Sequence, residues 1–190
     1  MKYMLIAFVL LFSACKSSDV QSESKETQSS MENSVTEPLP RDPTASFQTD
    51  QLHYTLVSTP DGIQGEISYA FTNPTQSLVY IVNCNGSTRL ALEKRIGEQW
   101  VQAWEPIMEA CLSEPIIVQP EQAYQAVIHI FAADPAKDIH PKFSVDSVSG
   151  IYRLVWQDVL QTYDPDNYPF GEALPLEQRI SNHFRLDVQQ

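Results

Sequence analysis

The sequence predicts an all-β domain, a two-sheet antiparallel sandwich, behind a disordered polar tether. Three observations lead there. From Phe47 onward, short runs in which apolar and polar residues alternate are each cut off by Pro, Gly, Asn or Asp, giving roughly nine strands. No amphipathic pattern of helical period persists over any length, and no unit of 20 to 50 residues repeats in the manner of a solenoid or propeller. Before Phe47 the composition is too polar to build a core.

The chain has 190 residues, 43% of them hydrophobic and 10% aromatic, enough for one domain of ordinary size plus extensions or for two very small ones. Its formal charge is −12, from 12 basic and 24 acidic side chains. So acidic a surface repels phosphate backbones and gives no electrostatic help on anionic lipid, which disfavours nucleic acid as a partner. Solubility is the plain meaning of the charge.

Residues 1–14 read as a signal peptide. A short basic start, Met1-Lys2-Tyr3, precedes an apolar run from Met4 to Phe12, far short of the roughly 20 residues of a membrane span. The run ends in Phe12-Ser13-Ala14-Cys15, which resembles the bacterial lipobox, with Phe12 where that pattern prefers Leu. The resemblance implies cleavage before Cys15 and acylation of its thiol and amine, palmitate included, anchoring the chain in membrane lipid. At about 0.8 kcal/mol per buried methylene, several acyl chains hold permanently. Lys16, in place of Asp, implies sorting to the outer membrane of the bacterial envelope. Residues 15–46 then form the lipidated Cys15 and a Ser-, Glu-, Gln- and Thr-rich linker closed by Pro38, Pro40 and Pro43. As a flexible coil this linker reaches on the order of 30 Å.

Residues 47–190 are the sandwich. Leu52, Tyr54 and Leu56 alternate with His53, Thr55 and Val57, and Pro60-Asp61-Gly62 turns the chain. Ile63, Ile67, Tyr69 and Phe71 share a face of the second strand. After the turn at Asn73-Pro74-Thr75-Gln76, Leu78 to Val82 is apolar on both faces and reads as a central strand. A hairpin follows, out through Leu90 and Leu92, over Ile96-Gly97-Glu98-Gln99, and back through Trp100 to Trp104. It is expected to be the piece around which the other strands are laid. Pro115 to Val118 is a short strand stopped by Pro120, and Tyr124 to Phe131 is a long one with Tyr124, Ala126, Ile128 and Ile130 on one face. A loop from Ala132 to Ser149 leads to the strand Gly150 to Trp156. A Pro-rich excursion, Thr162 to Glu177, with one helical turn within Leu174 to Arg179, precedes the last strand, Ile180 to Val188.

With Cys15 lipidated, an exported chain keeps two cysteines, and a disulfide between Cys84 and Cys111 is expected. The alternative, a thiol pair for metal or redox chemistry, lacks a Cys-x-x-Cys spacing and a nearby His. No Gly-x-Ser-x-Gly, His-Glu-x-x-His, phosphate-binding glycine loop or dinucleotide fingerprint is present, so neither enzyme activity nor a cofactor is expected. His53, His129 and His183 alternate with apolar neighbours and read as partly buried strand residues rather than ligands; His140 falls in a loop. Asp164-Pro165-Asp166-Asn167 with Glu172 gathers oxygens of the kind calcium uses, but Pro165 and the late Gly171 break the EF-hand spacing, and a solvated loop fits better. Trp100, Trp104, Tyr163, Tyr168 and Phe170 lie on or near turns, as aromatics of binding loops do, and Trp100, Trp104, Tyr168 and Phe170 form the candidate binding surface. The competing reading makes the two tryptophans a cover on the end of the sandwich.

The order Phe71-Thr72-Asn73-Pro74-Thr75, then Leu90-Ala91-Leu92-Glu93-Lys94, Gly97, Trp100, a proline-led turn before Tyr124, and Gly150-Ile151-Tyr152-Arg153-Leu154 resembles immunoglobulin-like domains of bacterial envelope lipoproteins. Trp104 to Met108 with Ile116-Ile117-Val118-Gln119-Pro120-Glu121 is also similar to the BsuPI-type proteinase inhibitor domain. The likeness spans about Leu52 to Trp156 and rests on structural motifs; Pro120-Glu121 stands where such domains usually have Pro-Gly-Glu. It implies an immunoglobulin-like sandwich, non-catalytic, that binds an envelope protein or glycan or serves a structural role, with proteinase inhibition as the alternative.

Overall fold

Eleven strands are present in a computed structural model that describes residues 39, 44–108, 110–133 and 137–189. The signal peptide, Cys15 and nearly all of the linker lie outside the described residues. In chain order the strands are β1 (Phe47–Thr49), β2 (His53–Thr59), β3 (Gly62–Thr72), β4 (Val79–Ile81), β5 (Leu90–Ile96) and β6 (Gln99–Trp104). They continue as β7 (Ile116–Val118), β8 (Ala123–Ala132), β9 (Gly150–Trp156), β10 (Val159–Leu160) and β11 (Phe184–Gln189). A single 3₁₀ turn, Leu176–Gln178, falls where one helical turn was expected.

Eight strands form the main sheet, and β10, β4 and β7 form a second, with β4 central as its apolar sequence requires. In the main sheet β3 pairs with β8 along its whole length, while β2 and β1 share its opposite edge; β2 continues through β11, β9 and β5 to β6. This sheet closes over itself. Trp156 on β9 is fully buried and lies 5.3–5.9 Å, ring to ring, from Tyr69 and Phe71 on β3, Phe47 on β1 and Tyr124 on β8. One side chain thus staples the β9 half onto the β3–β8 half. At about 25 cal/mol per Å² over roughly 200 Å², its burial contributes about 5 kcal/mol gross.

Five details differ from the sequence reading. The strands β1 and β10 are too short, at three and two residues, to show a period of two. The last strand begins at Phe184, because Ile180 makes only an isolated bridge to Val155 and Ser181 Oγ accepts the Leu154 N–H. One ladder, β11 with β2, is parallel; the whole domain separates these strands, so no tight turn constrains their direction. The hairpin β5–β6 is not the centre, for β6 lies at an edge of the main sheet. The loop after β8 also does more than connect, since Phe143, Val145 and Val148 are buried in the core.

Candidate functional site

A bulge decides the fate of the two hairpin tryptophans. Strict alternation along β6 puts Trp100, Gln102 and Trp104 on one face. The β5–β6 register instead steps from Leu92 opposite Trp104 to Glu93 opposite Gln102, leaving Ala103 as the extra residue. Trp104 is thereby swung into the core and is only 3% exposed. Its ring is almost wholly covered, as the reading of the tryptophans as a cover expects, and it reaches the surface only as part of a groove wall. Ser144 seals the bulge, its N–H donating to Ala103 O at 2.8 Å and its hydroxyl to Gln102 O at 2.7 Å.

Trp100 stays on the outer face and is itself engaged. The Arg153 guanidinium sits 4.5 Å from the centre of its ring, and the His183 ring 4.7 Å away. Arg153 also holds Glu93 at 2.6 Å. Burial, with Arg153 and Arg95 nearby, pushes the His183 pKa below its ordinary value. Trp100 therefore packs within a charged cluster with His183, whereas the ring contacts of Phe170 are to Tyr163 and Tyr168.

The excursion after β10 builds the other half of the region. Gln161 N–H donates to Glu172 O, Asp164 N–H to Phe170 O, and Phe170 N–H to Asn167 O. Gly171, at φ +141°, is required here: a Cβ would meet Thr162 O at 2.0 Å. Phe170 itself takes φ +70°, a left-handed conformation that costs a side-chain-bearing residue. It is held there by ring contacts with Tyr163 and Tyr168, and Tyr163 stacks in turn on Tyr80. Beneath this ladder the Cys84–Cys111 disulfide is formed, and Cys84, Val82 and Leu160 make a second small core against which Met108 and Phe170 pack.

Between the end of β6, residues 140–144 and this loop lies a groove of about 680 Å³, within the range of ligand sites. Trp104, Pro106, Ile107, Met108, Pro141 and Tyr168 give it apolar and aromatic walls. Arg89 and Lys142 stand at its rim, paired with Asp158 at 3.4 Å and Asp138 at 3.0 Å. The Lys142 hydrogen bond holds the Asp138 carboxyl below its usual range. Leu112, Tyr168, Ile107 and Ile139, at 91, 75, 66 and 60%, are the most exposed large apolar side chains among the described residues. Ile107 and Tyr168 line this groove, and Ile139 directly precedes its lining residue His140. A second hollow, about 660 Å³, lies over Gln48, Ser68, Ala70 and Gln125 on the sheet, lined mostly by short side chains, with Tyr69 its one aromatic residue.

The remaining sequence candidates are placed as follows. Tyr168 and Phe170 adjoin each other at 5.5 Å, Tyr168 outermost. His53 and His129 are exposed rather than partly buried, because each lies on an outer strand face, paired with Asp187 at 2.8 Å and Glu66 at 3.0 Å. His140 lines the groove. Asp164 spends its carboxylate inside the loop, accepting from Asp166 N–H at 3.1 Å and Asn167 Nδ2 at 2.7 Å. Ile107, Met108 and Pro141, which shape the groove, carry no local sequence signal; only the folded chain brings them together. No protein-family model and no curated protein matches this sequence.

Proposed function

We propose that this chain is a lipid-anchored protein of the bacterial envelope whose immunoglobulin-like, non-catalytic domain binds another envelope protein through the groove beside Tyr168. The observation that carries the reading is an aromatic-walled cavity lined by Ile107 and Tyr168, two of the three most exposed large apolar side chains among the described residues. An apolar surface concentrated in this way marks an interaction site rather than ordinary surface scatter. The anchor rests on the apolar run and Phe12-Ser13-Ala14-Cys15. Tyr152, at the start of β9, supports the immunoglobulin-like reading. Its buried hydroxyl donates to Val148 O four residues upstream, as the tyrosine corner of such sandwiches does. Two residues on stands Leu154 in place of their cysteine, and the disulfide instead joins Cys84 to Cys111 beside the small second core.

Affinity capture from detergent-solubilised envelope tests this. Full-length chain and a variant carrying Ile107→Lys with Tyr168→Ala, both at exposed positions, serve as parallel baits. A protein retained by the first and lost by the second supports the groove. Equal retention, or none by either, contradicts it. Proteinase inhibition is the second reading, favoured by the internal hydrogen bonds that present Tyr168 rigidly at the loop tip. Failure of the pure protein to slow a broad protease panel removes it.

A further inference from the structure

The two edges of the main sheet are treated very differently. At β6 the bulge at Ala103 and the hydrogen bonds from Ser144 block strand addition. The strand β8 has neither device. Its ladder with β3 runs unbroken for ten residue pairs, and among the described residues no hydrogen bond reaches its other edge before Ala133, just beyond the strand, whose N–H donates to Pro141 O. The strand contains no Asp, Glu, Lys, Arg or Pro, the residues that normally guard an edge. Val127 and Phe131 on its outer face are 41 and 50% exposed.

We propose that β8 pairs antiparallel with β8 of a second copy of this chain, about a two-fold axis at Val127. The outward side chains Ala123, Gln125, Val127, His129 and Phe131 read apolar, polar, apolar, polar, apolar, the same in both directions. In this register Val127 faces its own copy, Gln125 faces His129, and Ala123 faces Phe131. Each side thus meets its match, as an isologous contact requires. Charge selects the same partner. The whole chain carries −12, and two such bodies meet with little repulsion along a strand that has no Asp, Glu, Lys or Arg, although the exposed Glu66 of β3 pairs with its His129. Added salt should therefore strengthen the pairing, whereas it would weaken binding to a basic partner. The interface uses no residue that lines the groove.

Sedimentation velocity of the full-length chain in detergent, at low and high salt, reads the state directly. A dimer that grows with salt and is lost in Val127→Lys, with thermal stability unchanged, is the expected result. Oxidation supplies the register: Val127→Cys crosslinks to itself, and a mixture of Gln125→Cys and His129→Cys crosslinks more than either alone. A monomer at every concentration and salt overturns the proposal. So does a dimer that survives Val127→Lys, or Val127→Cys crosslinking no faster than Thr55→Cys on the exposed face of β2.

Discussion

Replacing both Cys84 and Cys111 by Ala measures how firmly the small second core is held. The bond closes a separation of 27 residues, for which chain entropy predicts a stabilisation of about 3.5 kcal/mol. Cys84 is fully buried in the small second core, and losing its sulfur there adds up to about 1 kcal/mol. The sum, roughly 4 kcal/mol, is a large part of the stability of an ordinary domain and corresponds to a fall in Tm of about 10 °C. Urea unfolding followed by tryptophan fluorescence is the assay. The denaturant slope should rise with the loss, because the unfolded chain is freed to expand. Wild-type protein with reductant throughout should reproduce the shift. A loss below about 1 kcal/mol would refute the reasoning, showing that the segment from Glu105 to Pro115 is held by packing alone.

Three further outcomes follow from single side chains. Glu121 adopts φ +62° with an exposed side chain, so Glu121→Gly should stabilise by about 0.5–1 kcal/mol in urea unfolding; an unchanged midpoint contradicts this. Tyr152→Phe strands the buried Val148 carbonyl and should cost about 1–3 kcal/mol, and a loss under about 0.5 kcal/mol means that carbonyl is otherwise satisfied. The folded pKa of His183 lies below the ordinary 6.5, so the unfolded chain binds the proton first as pH falls. Stability from this group is complete above about 6.5 and declines as pH drops through the lowered folded value, a slope in Tm that His183→Gln should flatten and that is absent if the ring is freely solvated.

Strand identity was legible wherever burial alternates over five residues or more, as in β2, β3 and β8. The Cys84–Cys111 pairing, which the structure shows, was expected from the residue count once the chain was read as exported with Cys15 lipidated. The burial of Trp104 was legible as a cover on the end of the sandwich, but its cause was not, because Ala103 gives no local sign of the bulge that turns its neighbour inward. The left-handed Phe170 was equally hidden, since ring packing rather than a glycine supports it. Glu121 is the instructive opposite: the missing Gly after Pro120 was visible in the sequence, and its physical cost is visible in the backbone. The groove joins segments near residues 105, 140 and 168, so no window of sequence contains its pattern.

The groove is tested most directly in intact cells. A photo-crosslinking residue placed at Tyr168, or at Ile107, should yield the same covalent adduct with one envelope protein. Placed at Val57, exposed on β2 away from the groove, it should not. Adducts at all three positions, or at none, would contradict recognition through this groove.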